Sequence, residues 1–150
     1  MPNILTKSVE KGWHGPETTI KVSPRDFMRN DDDARANLSL VDAAAGSAHR
    51  MFVSGSNLEM YAHVIVPQGY KATAYKVFGS DATNRCLSFE ACVAGCLMIA
   101  LQNPGVYVVG STHTLDTEMV AGATNYLLLK VTPTATDDYI YGATVTIEKV

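Results

Sequence analysis

The side chains in this chain best suited to chemistry are few and far apart. Asn30-Asp31-Asp32-Asp33 sets three carboxylates in a row, and Ca²⁺ is held by several such hard oxygens. The run lacks EF-hand spacing and has no glycine at the sharp turn. Asp31, Asp32 and Asp33 are therefore read as a solvated loop ahead of a weak calcium candidate, and no cofactor is expected. Ser54, Ser56, His63 and Asp81 supply the residue types of a hydrolytic triad, but no Gly-x-Ser-x-Gly elbow is present. Val53-Ser54-Gly55-Ser56-Asn57 reads as a turn. Asp26, Glu90 and Asp116 could pair as acid and base only if the fold brought them together, because no local spacing suggests it. Asp137-Asp138 reads as a loop cap before the last strand. Cys86, Cys92 and Cys96 are odd in number, which points to reduced thiols ahead of a disulfide framework or a zinc site. Trp13, beside His14 and Gly15, could stack on a sugar ring. A lone Trp near a chain start more often anchors an arm against its own or a neighbouring subunit. With no catalytic constellation in view, the expectation is a protein that is not an enzyme.

Composition narrows the partners. At 150 residues the chain fits one domain with a real core. The formal charge is only −3 and the Lys and Arg residues are scattered, which argues against nucleic acid. The longest apolar run, Cys96 to Leu101, is too short to span a bilayer, and no membrane partner is expected. The start of the sequence shows no charged-then-apolar secretory pattern, so synthesis in a cytoplasm is expected.

Positioning such residues falls to strands. Tyr139 to Glu148 alternates almost to the chain end, with Tyr139, Tyr141, Ala143, Val145 and Ile147 on one face and Ile140, Gly142, Thr144, Thr146 and Glu148 on the other. Leu58, Met60, Ala62, Val64 and Val66 alternate with Glu59, Tyr61, His63 and Ile65, up to a turn at Pro67-Gln68-Gly69. Residues 70–78 and 126–132 read as strands, the latter with Leu127, Leu129 and Val131 inward. Leu87, Phe89, Ala91 and Val93 share a face against Cys86, Ser88, Glu90 and Cys92. Residues 85–102 also fit a helical repeat, but Gly95 and strand-like neighbours favour strands. Asn103-Pro104-Gly105 predicts a hairpin turn between 97–101 and 106–109. Earlier, 18–22, 38–41 and 50–53 are short strand candidates in a weakly patterned region. The whole is an all-β chain: an antiparallel β-sandwich or jelly roll of roughly 7–9 strands. Residues 1–57 are expected to form a less regular N-terminal arm making assembly contacts, and 58–150 the sandwich core.

Several segments carry a family resemblance. Ile65-Val66-Pro67-Gln68-Gly69-Tyr70-Lys71-Ala72-Thr73-Ala74 is followed by Val77-Phe78-Gly79-Ser80. Thr124 to Leu129 and Thr134 to Ile147 continue the pattern, and Val22-Ser23-Pro24-Arg25-Asp26-Phe27 precedes Asp31-Asp32. Together these resemble a family of small β-rich virion-associated proteins of marine and cyanobacterial tailed phages, mostly of undefined function. Ala143 stands where the family's closing strand has a second glycine, and Cys86 to Leu101 departs from its pattern. The resemblance carries no catalytic residue over. It implies a virion location and a structural role: a capsid decoration (cement) protein, or alternatively a tail, neck or fibre subunit. The expected partners are further copies of itself, a trimer by analogy with small decorators, and the major capsid protein or another virion protein. A carbohydrate-binding host-recognition module is the third reading. Trp13, Phe27, Met28, Phe52, Tyr61, His63 and Ile65 are the expected interface residues, since aromatics and Met are enriched in interface cores.

Overall fold

A computed structural model describes residues 18–29, 38–42, 49–53, 58–95, 97–103, 105–135 and 138–150. The described chain forms eleven strands in chain order: β1 Thr19–Val22, β2 Phe27–Arg29, β3 Leu38–Asp42, β4 His49–Val53, β5 Met60–Val64, β6 Tyr70–Gly79, β7 Arg85–Cys92, β8 Met98–Ala100, β9 Thr112–Val120, β10 Asn125–Thr132 and β11 Asp138–Lys149. All the pairings are antiparallel. The first sheet runs β3-β4-β11-β6-β9, with β1 also on β11; the second runs β2-β5-β10-β7-β8.

The inner faces of both sheets supply one hydrophobic cluster. Ile20, Val77, Val145 and Ile147 come from the first sheet; Met60, Ala62, Leu127, Leu129 and Val131 come from the second. The expected β-sandwich is the architecture found. The described residues between 85 and 102 are strand, turn and bend, as favoured over the helix. The short early candidates are β1, β3 and β4, which belong to the first sheet, while β2 joins the second.

Three sequence expectations need correction. On β11, Tyr139 and Tyr141 do not share the buried face with Ala143, Val145 and Ile147: Ile140 is buried and Tyr141 exposed. The ladder with β6 slips between Ile140 and Gly142, and such a bulge shifts the alternation by one residue. Gly142 makes this possible. Its φ is +129°, and a Cβ there would lie 2.5 Å from the Val22 carbonyl oxygen, where β1 takes over from β4 along β11. Second, 97–101 and 106–109 do not form a hairpin with each other. Both lie against β7, through the Met98–Ala100 ladder and the Arg85–Val108 bridge. The chain turns inward between them: Leu101 and Gln102 are buried, and the Leu101 carbonyl accepts from the amides of Asp116 and Thr117 on β9. Third, β9 itself had no counterpart in the sequence reading: only Leu115 and Met119 are buried along it, with exposed Thr117 interrupting their alternation.

Candidate interaction face

The residues of most interest lie on the outer side of the second sheet, and register places them in rows. Met28 faces Tyr61, Tyr61 faces Lys130, and Lys130 faces Leu87. In the next row His63, Leu128 and Phe89 are in register, with Ala100 beyond. Tyr126, Ala91 and Met98 make the third. Ile65, two residues past His63, shares their side of the sheet and is 71% exposed. Registered partners project to the same side of a sheet, so the rows form one continuous surface. Leu128 points away from the core yet is only 7% exposed. His63 and Phe89 stand on either side of it, and the His63 ring lies 5.3 Å from that of Tyr126.

This face is apolar because β7 is inverted relative to a simple half-buried strand. Its inward side carries Cys86 and Ser88, both buried. Buried polar groups need partners, and Gln102 supplies one across the sandwich. The Gln102 Oε1 atom accepts from the Ser88 amide at 3.2 Å, the Ser88 hydroxyl at 3.0 Å and the Tyr75 hydroxyl at 2.8 Å. Burial pushes the Cys86 thiol up to about 11, with the Tyr75 contact opposing in part. Cys86 is a free, protonated thiol at neutral pH, and Cys92 is also free; Cys96 lies outside the described residues. With the Ser88 and Tyr75 hydroxyls bonded to the Gln102 Oε1 atom inside, while the buried Gln102 Nε2 has no partner among the described residues, Leu87, Phe89 and Ala91 face out.

Polar groups close the face at two ends. At one, Lys130 pairs with Glu59, and Glu59 also accepts from the Tyr61 hydroxyl at 3.2 Å. Burial is the main reason that hydroxyl's pKa is raised. An open recess of about 260 Å³ lies there, lined by Arg85, Leu87 and Thr132 among others. At the other end a shallow groove of about 290 Å³ is lined by Ile65, Pro67, Val93 and Asn125. The Asn125 amide donates to Glu90 at 2.7 Å.

The expected interface residues divide. Met28, Tyr61, His63 and Ile65 are brought together on this face. Phe27 is not on a surface: the alternation of β2 turns it into the core, where it is 2% exposed. Phe52 lies on the outer side of the first sheet, 5.3 Å from Tyr139. Trp13, and Asp31, Asp32 and Asp33, lie outside the described residues, as do Ser54, Ser56 and Asp137. The sequence reading did not place Leu87, Phe89 or Tyr126 at the expected interface. An apolar residue on both sides of a strand was the available signal.

The candidate acid/base carboxylates are not brought together by any shared contact. Asp26 accepts from the Ser23 amide at 2.7 Å, Asp116 from the Asn103 amide at 2.6 Å, and Glu90 from Asn125. Asp81 accepts from the Thr83 amide and hydroxyl, each at 2.8 Å, and these bonds hold its carboxyl below the usual range. Among the described residues, no group of three or more His, Cys, Asp or Glu could hold a metal, and no helix is long and apolar enough to cross a membrane.

No protein-family model matches the chain, and no curated protein matches it. Solved structures with a similar trace include the C-terminal CBM6 of LamC, a marine laminarinase from Zobellia galactanivorans (TM-score 0.46, 15% identity, 85% of this chain and 98% of that one). A family 35 carbohydrate binding module from Clostridium thermocellum gives a TM-score of 0.42 at 12% identity, over 89% of this chain and 100% of that one. A carbohydrate binding module from Cellvibrio mixtus lichenase 5A, in complex with cellotriose, gives 0.41 at 12% identity, over 87% and 97%. These likenesses assign no ligand and no residue role to this chain.

Proposed function

We propose that this chain is a docking subunit, that the outer face of its second sheet is the surface it docks with, and that the body it docks onto is the head of a tailed phage, as a decoration (cement) protein. One observation carries the docking part: Met28, Ile65 and Met98, each more than half exposed, share one side with exposed His63 and half-buried Tyr61 and Phe89, on a sheet whose other side already fills the core. Removing apolar surface from water is favourable by about 25 cal/mol per Å², and a standard interface takes about 800 Å² from each partner. The Lys130–Glu59 ion pair and the Asn125–Glu90 hydrogen bond stand at the two ends of the face, as polar groups rim interfaces whose cores lack charge. The virion setting rests on the resemblance of the 22–27 and 31–32, 65–80, 124–129 and 134–147 segments alone. Mechanically, the subunit would act by stapling: contacts across neighbouring capsid subunits raise the cost of separating them.

The test is stoichiometry and a face variant. Phage heads stripped with mild chaotrope should rebind the chain in hundreds of copies, and Phe89→Asp should abolish rebinding while the protein stays folded. A copy number of a few tens or fewer would move the protein to the tail or neck. Rebinding by Phe89→Asp at the original affinity would remove the face from the reading.

A second reading has its own observation. The His63 and Tyr126 rings, with Tyr61 half-exposed nearby, could seat a sugar chain along the same face. Titration with cellotriose and a glycan panel decides this. Saturable binding lost in Tyr126→Ala, or in Trp13→Ala, would make the protein a carbohydrate-binding module; no binding at millimolar sugar would end that reading.

A further inference from the structure

The free side of β8 is built unlike the β9 and β2 edges. Val93, Leu97, Met98 and Ile99, with Val106 farther along, are each between 51% and 76% exposed. The edge does not stop at Ala100. The Cys86 amide donates to the Tyr107 carbonyl at 2.9 Å and Arg85 bridges Val108, so residues 106–108 run along the same strand β7 on the same side. Across the molecule, the β9 edge carries Asp116 and Glu118 and slips in register against β6. Charges and irregularities of that kind prevent strands of two molecules from pairing. On the second sheet's other edge, β2 carries Arg29. From Val93 to Gln102 there is no charged residue.

We infer that the β8 edge is a self-association site, at which a second copy of this chain adds its own β8 antiparallel about a two-fold axis. Three arguments select a second copy as the occupant. A strand laid antiparallel against itself is self-complementary, which a two-fold axis requires. An uncharged edge meets no like-charge repulsion from an identical edge, and it offers no charge for recognising a different partner. Five side chains of this size, each more than half exposed, offer on the order of 500 Å² per copy, so a pair buries on the order of 1,000 Å², the lower bound for a specific interface. The strand is short and contributes few backbone bonds; the side chains carry the contact. This gives a two-fold pair in place of the three-fold arrangement expected by analogy. Because Met98 belongs to both the edge and the outer face, pairing would join two docking faces into one ten-stranded surface.

The test is the mass of the purified chain across a concentration series by sedimentation equilibrium. The mass should rise from 16.2 kDa toward twice that value. Ile99→Lys and Leu97→Lys, each checked for an unchanged melting temperature, should weaken pairing at least tenfold. Met28→Lys, on the sheet's opposite edge, should leave it unchanged. Hydrogen exchange of the native chain needs no variant: the Met98–Ala100 amides should slow as concentration rises. A monomer throughout, a mass of three chains, or pairing that survives Ile99→Lys but not Met28→Lys would each overturn the inference.

Discussion

The outer faces of the two sheets are finished in opposite ways. On the first sheet, aromatic rings are capped by the chain's own cations: the Arg50 guanidinium lies 3.8 Å from the Tyr139 ring centroid and the Lys76 amine 5.0 Å from that of Phe78. Thr144 and Thr146 continue that face. Lys71 bonds Glu118 at 2.6 Å with Glu148 close by, and the bond to Glu118 is the main reason the Lys71 pKa is raised. On the second sheet, Leu128 is hemmed by His63, which is exposed, and Phe89, which is half-buried, and no cation–π contact to Phe89 is found among the described residues. A sandwich needs only one apolar face per sheet. The second sheet has two, and a surplus apolar face is a surface for a partner.

The largest effect expected from breaking this contrast is on docking. A charge at the middle of the second face, Phe89→Asp, should cost about 2–4 kcal/mol of affinity, the range for buried interface anchors. Thr144→Asp on the first face should cost nothing measurable. Rebinding to stripped heads, scored beside the melting temperature of each variant, checks both. Equal losses from the two substitutions would erase the distinction between the faces.

Next comes the bulge that sends Tyr139 and Tyr141 outward. Gly142→Ala forces a side chain into a positive-φ position against the Val22 carbonyl, and should destabilise by about 1–3 kcal/mol. Denaturant unfolding measures it. An unchanged midpoint would mean that the strand can slip back to simple alternation, which would bury the tyrosines.

These two sites also show what the sequence could reveal. Inward Leu127, Leu129 and Val131, and the alternation of 58–66, were legible because one side of each strand is plainly more apolar. β11 misled because a one-residue slip at Gly142 leaves the written pattern intact while reversing its meaning. On β7 the period was right, but which side faces in depended on Gln102, a residue fourteen positions from Ser88. The outer face was half legible: Tyr61, His63 and Ile65 read as out of phase with the core and Leu128 as out of phase with inward Leu127 and Leu129, whereas Leu87 and Phe89 gave no sign of which side faces in. Phe27 had no neighbours in a weak segment to show that its strand packs inward.

The inverted side of β7 predicts a smaller, pH-dependent effect. Burial raises the Cys86 thiol from 9.0 to about 11, so the folded state favours the protonated form. Below pH 9 both folded and unfolded chains keep the proton and the thiol contributes no slope. As pH rises from 9 toward 11 the unfolded chain loses its proton first, and stability falls by on the order of 1–2 kcal/mol. Burial raises the Tyr75 hydroxyl too, adding the same sign at higher pH. Cys86→Ala should flatten the first part of the decline in melting temperature; an identical slope would mean that the thiol is not held between the sheets.

The smallest effect sharpens the comparison from the other side. If the first sheet's outer face is already satisfied by its own cations, removing one should cost a little folding stability and no docking. Arg50→Leu keeps apolar cover over Tyr139 but deletes the charge on its ring, and exposed contacts of this kind contribute about 0.5–1 kcal/mol. Thermal unfolding should report that loss, and head rebinding should be unchanged. Arg50→Leu that folds normally but fails to rebind would show the first face to be the one that docks, with the apolar second face left for the chain's other copies.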